Sequence, residues 1–169
     1  MRVNGDIDLY GPIETSAIFF SPFAQFAEET STGVAAATGS SIKLNTTIIN
    51  EITGVSLNTS TGEVSIPSGD YYFKGFVPSF GVDYHRASLR VSGTSTDLLL
   101  GTTSYGASSG SNAGTLSVFS GRVLFTTNST IYIHHISSGF GSYPNGSHLS
   151  TLSYHQKETH SILQIWKIS

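Results

Sequence analysis

Six histidines, eleven carboxylates and an abundance of serines are the residues in this chain with chemical potential. The histidines do not read as a metal site. His134 and His135 are adjacent on a strand-like run, so their side chains leave opposite faces and cannot chelate one ion. His85, His148, His155 and His160 show no short ligand spacing. One geometry remains for a metal, an ion collected on a symmetry axis from one histidine per subunit. A serine triad can be drawn almost anywhere in so hydroxyl-rich a chain, so composition supports none. Asp70, Asp83, Asp97, Glu51 and Glu63 fall mostly at turns, and spacing alone makes no pair for glycoside hydrolysis. No phosphate-binding or dinucleotide loop is present. The expectation is a non-enzymatic protein with no cofactor and no metal.

Composition points the same way. Charged residues make up 11% of the 169 positions, less than half of the usual share of about a quarter. Ser, Thr and Gly take their place, which suits β-strands whose solvated faces carry hydroxyls. Net charge is −3 with no basic stripe, so nucleic acid is not expected as a partner. No run is long enough for a membrane span, and none is expected. Cysteine is absent, which excludes disulfides and thiolate metal sites. Met1 to Asp8 lacks the apolar core of a signal peptide. The Asn-x-Ser/Thr triplets at Asn45, Asn58, Asn128 and Asn145 then read as accidents of composition.

From Leu44 onward, short alternating runs are cut by turn residues, the pattern of a sandwich or barrel. Strands are expected near 44–49, 64–66, 71–77, 85–91, 97–101, 116–118, 122–125, 131–136, 149–154 and 161–168. Ala87, Leu89 and Val91 share one face, opposite Arg86, Ser88 and Arg90. Two long Ser/Gly-rich segments, 102–114 with Tyr105 and 137–148 with Phe140 and Tyr143, read as exposed loops that could serve recognition.

The last strand is apolar on both faces. Ile162, Trp166 and Ile168 point one way, Leu163 and Ile165 the other. Chain ends fray unless something holds them, so this strand needs its own sandwich on one side and a second cover on the other. Another copy of the chain is the simplest cover. The expected contact residues are Tyr72, Leu163, Ile165, Trp166 and Ile168.

Residues 1–30 differ in composition. Phe19, Phe20, Phe23 and Phe26 recur at near-helical spacing after a possible start at Ser21-Pro22. They either plug the domain's own sandwich or form an arm docking onto another subunit or protein. The expected division is an arm over 1–30 and a β-domain over 31–169.

The runs Leu44–Asn50, Val55–Leu57 and Gly62–Tyr72 carry a resemblance, joined by His85–Val91, Leu98–Thr102 and Leu163–Lys167. Together they resemble a family of bacteriophage structural proteins built on a C1q/TNF-like jelly roll, over about 43–169. The resemblance implies an all-β fold, an antiparallel two-sheet jelly-roll sandwich, trimerising about a threefold axis on a virion. It also implies a capsid decoration (cement) protein on the outer surface of the head, with the major capsid protein as partner. The other implied role is the receptor-binding tip of a tail fibre or spike, with host surface polysaccharide as partner.

Overall fold

The computed structural model describes residues 21–30, 40–80, 83–105, 114–138 and 158–169, and within them every regular element is a strand. In chain order these are β1 (Phe23–Thr30), β2 (Ser40–Ser41), β3 (Thr46–Asn50), β4 (Ser56–Asn58), β5 (Glu63–Ile66) and β6 (Gly69–Phe80). They continue with β7 (Tyr84–Val91), β8 (Asp97–Leu100), β9 (Ser104–Tyr105), β10 (Gly114–Phe125), β11 (Ser129–Ser138) and β12 (Glu158–Lys167). One sheet runs β10-β6-β12-β1-β3; the other runs β4-β5-β11-β7-β8, with β2 added on β11 and β9 on β7. All pairings are antiparallel.

Strand alternation builds the core. On the five-stranded sheet, Phe119, Gly75, Leu163 and Phe26 form one cross-strand row, and Gly121, Phe73, Ile165 and Ala24 the next. Phe26, Phe73, Phe119, Leu163 and Ile165 are buried against Leu89, Ile131 and Ile133 of the second sheet. Gly75 is glycine because the Phe119 ring lies where its Cβ would be, 2.3 Å from the ring tip. The break that Gly75 makes in an otherwise bulky strand is therefore a seat for an aromatic ring.

Two expectations are corrected. The helix start at Ser21-Pro22 is the entry to β1, an interior strand held by β12 on one side and β3 on the other. Its near-helical spacing of phenylalanines is overridden by strand pairing: Phe26 goes inward and Phe23 outward, because residues three apart on a strand fall on opposite faces. Residues 23–30 thus pair within the five-stranded sheet. The runs at 116–118 and 122–125 are one strand, β10, continuous through Gly121. The strand expected at 149–154, and Phe19, Phe20, Phe140 and Tyr143, lie outside the described residues.

Gly62 closes the turn between β4 and β5 at φ +80°, beneath the 42–44 segment. An added Cβ would lie 2.5 Å from the Ile42 carbonyl oxygen and 2.6 Å from Lys43 Cα, both backbone atoms. Gly62→Ala is expected to cost roughly 2–4 kcal/mol, left-handed strain plus overpacking. Gly93 has nearly the same φ, +77°, with nothing within 4 Å of the added atom. Gly93→Ala should therefore cost only the strain, roughly 1–2 kcal/mol. Urea midpoints of the two variants test this; equal losses would remove the steric argument.

Candidate association face and loop end

Residues opposite the core rows make up the outer face of the five-stranded sheet. Cross-strand register orders them. Val118, Phe76, Ile162 and Ala27 form an apolar row; Ser120, Lys74, Gln164 and Gln25 a polar one; Arg122, Tyr72, Trp166 and Phe23 an aromatic one. Leu116 and Leu124 flank the rows on β10, and both are exposed. Trp166 is clamped within its own chain, its ring centroid 5.0 Å from Phe23 and 5.9 Å from Tyr72. Such aromatic contacts fix the rings against the sheet. In the polar row the Gln164 side-chain amide donates to Gln25 Oε1 at 3.0 Å. Arg122 donates to both carboxylate oxygens of Asp70. That hydrogen bond, with the guanidinium charge, holds the Asp70 carboxyl below its usual range.

The structure divides the expected contact residues. Leu163 and Ile165 are fully buried in the chain's own core and reach no outer surface. Tyr72 (40% exposed), Trp166 and Ile168 (47% exposed) lie on the outer side. Of the aromatic arm residues described, Phe26 belongs to the core and Phe23 to the outer aromatic row.

A second feature lies at one end of the sandwich. Thr30 pairs with Glu158, Phe80 with Gly114, and Tyr84 with both Ser138 and Tyr105. The strand ends flanking 31–39, 81–82, 106–113 and 139–157 therefore converge. Tyr105, 75% exposed, stands there beside Tyr84, with ring centroids 6.4 Å apart.

Beneath that end the core turns polar. His85 Nδ1 and His135 Nε2 are 3.0 Å apart, both rings fully buried, so one nitrogen donates and the other accepts. The far nitrogens, His85 Nε2 and His135 Nδ1, have no hydrogen-bond partner among the described residues. Burial pushes both imidazoles below their ordinary value; His135 falls to about 4, helped by the neighbouring His85 and His134 charges. Ser117 Oγ donates to the Thr102 carbonyl and accepts the Ala87 N–H, stitching β10 to the second sheet. Ser161 donates to the buried Glu28 carboxylate at 2.9 Å.

Sequence reasoning separated His134 from His135 correctly but missed this pair. The signal was parity, since His85 shares a face with Ala87 and Leu89, and His135 with Ile131 and Ile133. Among the described residues no three His, Cys, Asp or Glu side chains converge as metal ligands. The stretch Gly106-Ala-Ser-Ser-Gly110 has the G-x-S-x-G spacing of a nucleophile elbow. That stretch lies outside the described residues.

No family model matches the sequence, and no curated protein does. Solved structures do. The globular domain of zebrafish complement 1qA aligns with TM-score 0.58 at 11% identity, over 88% of this chain and 98% of that one. The Eiger TNF of S. frugiperda aligns with TM-score 0.60 at 13% identity, over 88% and 93%. The fold is thus a C1q/TNF-like jelly-roll sandwich, as the sequence led us to expect.

Proposed function

We propose that this chain is a non-enzymatic structural subunit of a virion, a homotrimer that decorates the capsid and bridges major capsid protein subunits. The observation that carries self-association is the outer face of the five-stranded sheet. Its apolar and aromatic rows surround one short polar row, the composition of an interface centre and not of a solvated surface. A closed ring needs two different patches on each copy. The Trp166–Tyr72–Phe23 row and the Leu116–Val118–Leu124 side of β10 offer them. The threefold order, the virion and the coat partner rest on the resemblance to phage jelly-roll proteins.

Light scattering on the intact chain tests the core of this reading. The expected mass is three times the 18.0 kDa of one chain; a single-chain mass at micromolar concentration overturns it. Deleting residues 1–20 removes Phe19 and Phe20 without touching β1. Trimers should survive and capsid binding should be lost; retained binding would refute docking through that segment.

A second reading, the receptor-binding tip of a tail appendage, is favoured by the convergent loop end with exposed Tyr84 and Tyr105. It requires isolated trimers to bind host cells and to lose that binding in Tyr105→Ala.

A further inference from the structure

The outer face of the seven-stranded sheet carries a groove that neither the association face nor the loop end uses. It is an open groove of about 340 Å³, lined by Ser41, Thr61, Glu63, Ser92, Gly93, Tyr132 and His134. Register explains why these residues meet. Ser41 pairs with His134 across β2 and β11, and Val64, next to Glu63, pairs with Ile131 on the same β11. On the other side Tyr132 pairs with Arg90 of β7, two residues before Ser92. The groove thus lies along β11, with β2 and β5 forming one wall and the β7–β8 turn the other.

Its centre is a held carboxylate. Ser92 Oγ donates to Glu63 Oε1 at 2.5 Å, and Thr61 Oγ1 donates to Glu63 Oε2 at 3.1 Å. Each carboxylate oxygen keeps a second lone pair, so the group can still accept two hydrogen bonds from a ligand. Close by, the Tyr132 and His134 rings meet edge to face, 6.3 Å apart at 81°. The rest of the lining is hydroxyl and backbone.

We infer that this groove is a binding site for a neutral pyranose. Adjacent sugar hydroxyls match a fixed carboxylate ringed by hydroxyls, and the C–H face of the sugar matches the ring of Tyr132. The volume sits in the range of small-ligand pockets. Other ligand classes fit less well. The carboxylate at the centre repels anions, the lining offers no aliphatic wall for a lipid, and no third metal ligand is present among the described residues. On an assembled particle, many weak sites of this kind would act together on a polysaccharide by multivalency.

The test uses the intact chain and the methyl glycosides of glucose, galactose, mannose and N-acetylglucosamine, with saturation-transfer NMR and titration calorimetry. At least one glycoside should bind with millimolar affinity, while inorganic phosphate should not. Glu63→Gln and Tyr132→Ala should each weaken binding roughly tenfold or more, since each removes a charged-acceptor or stacking contact. Gly93→Asn gives a third check. Asparagine tolerates the left-handed backbone, and its side chain enters the open space at the mouth, so binding should fall with the fold intact. Absence of binding by all four glycosides, binding of phosphate at the same site, or binding unaltered by Glu63→Gln and Tyr132→Ala would overturn the assignment. None of these readouts depends on whether the chain is a trimer.

Discussion

Ile162→Asp is expected to convert the proposed trimer to single chains of 18.0 kDa. Ile162 sits on the outer face between Phe76 and Ala27, in the apolar row that runs on to Val118. In an isolated chain that side chain is only partly covered, so an aspartate there keeps access to water and the sandwich folds. In a closed ring the same carboxylate would lie desolvated with no cation in its row, a penalty of several kcal/mol for each copy. Three such penalties exceed what an interface of ordinary size supplies, so the ring opens. Light scattering reads the mass, and near-UV circular dichroism confirms that Trp166 keeps its packed environment. Leu100→Asp is the control: Leu100 is also exposed, but on β8 of the opposite sheet. It should leave the mass unchanged. An Ile162→Asp protein that still runs at the wild-type mass would mean that copies meet elsewhere.

Acid is expected to remove about 3 kcal/mol of folding stability between pH 6.5 and pH 4, through His135 and its partner His85. Burial holds both imidazoles neutral in the folded chain, His135 down to about 4, from an ordinary value of 6.5. At His135 the unfolded chain takes up its proton near 6.5 and the folded chain not until about 4, and His85 is shifted in the same direction. Above 6.5 neither state binds these protons and the stability is complete. As pH falls below 6.5 the unfolded state gains protons first, so stability drops until the folded pair titrates as well. The depressed carboxylates leave this window clear. Asp70 and Asp97 are held down by Arg122 and Arg90, so their contribution is lost only below about 3.8, the ordinary carboxylate value. Urea midpoints measured from pH 7.5 to pH 4.5 should therefore fall steadily, and the double variant His85→Leu/His135→Leu should flatten the slope. A flat wild-type profile would contradict the buried neutral pair. Protonation places two like charges 3.0 Å apart directly under the convergent loop end, so that end should show the first loss of hydrogen-exchange protection.

Much of the sandwich was legible because strand alternation is a local property with a period of two. The alternation of Ala87, Leu89 and Val91 with Arg86, Ser88 and Arg90 placed β7 correctly. Leu163 and Ile165 likewise emerged on the face opposite Ile162 and Trp166. What misled was also local. Four phenylalanines in residues 19–26 imitate a helical stripe, because spacing carries no record of the strands that will flank them.

Which strand lies beside which, and in what register, was decided by the tertiary structure. Phe23 and Trp166 are 143 positions apart, yet their rings pack at 5.0 Å because β1 enters the sheet between β12 and β3. His85 and His135 meet for the same reason, as do Glu63 and Ser92 across β11. The sequence determined how each segment distributes its side chains between two faces. Only the pairing of distant edges decided which faces share a row, because backbone hydrogen bonds join strands without regard to side-chain identity and burial then selects the register.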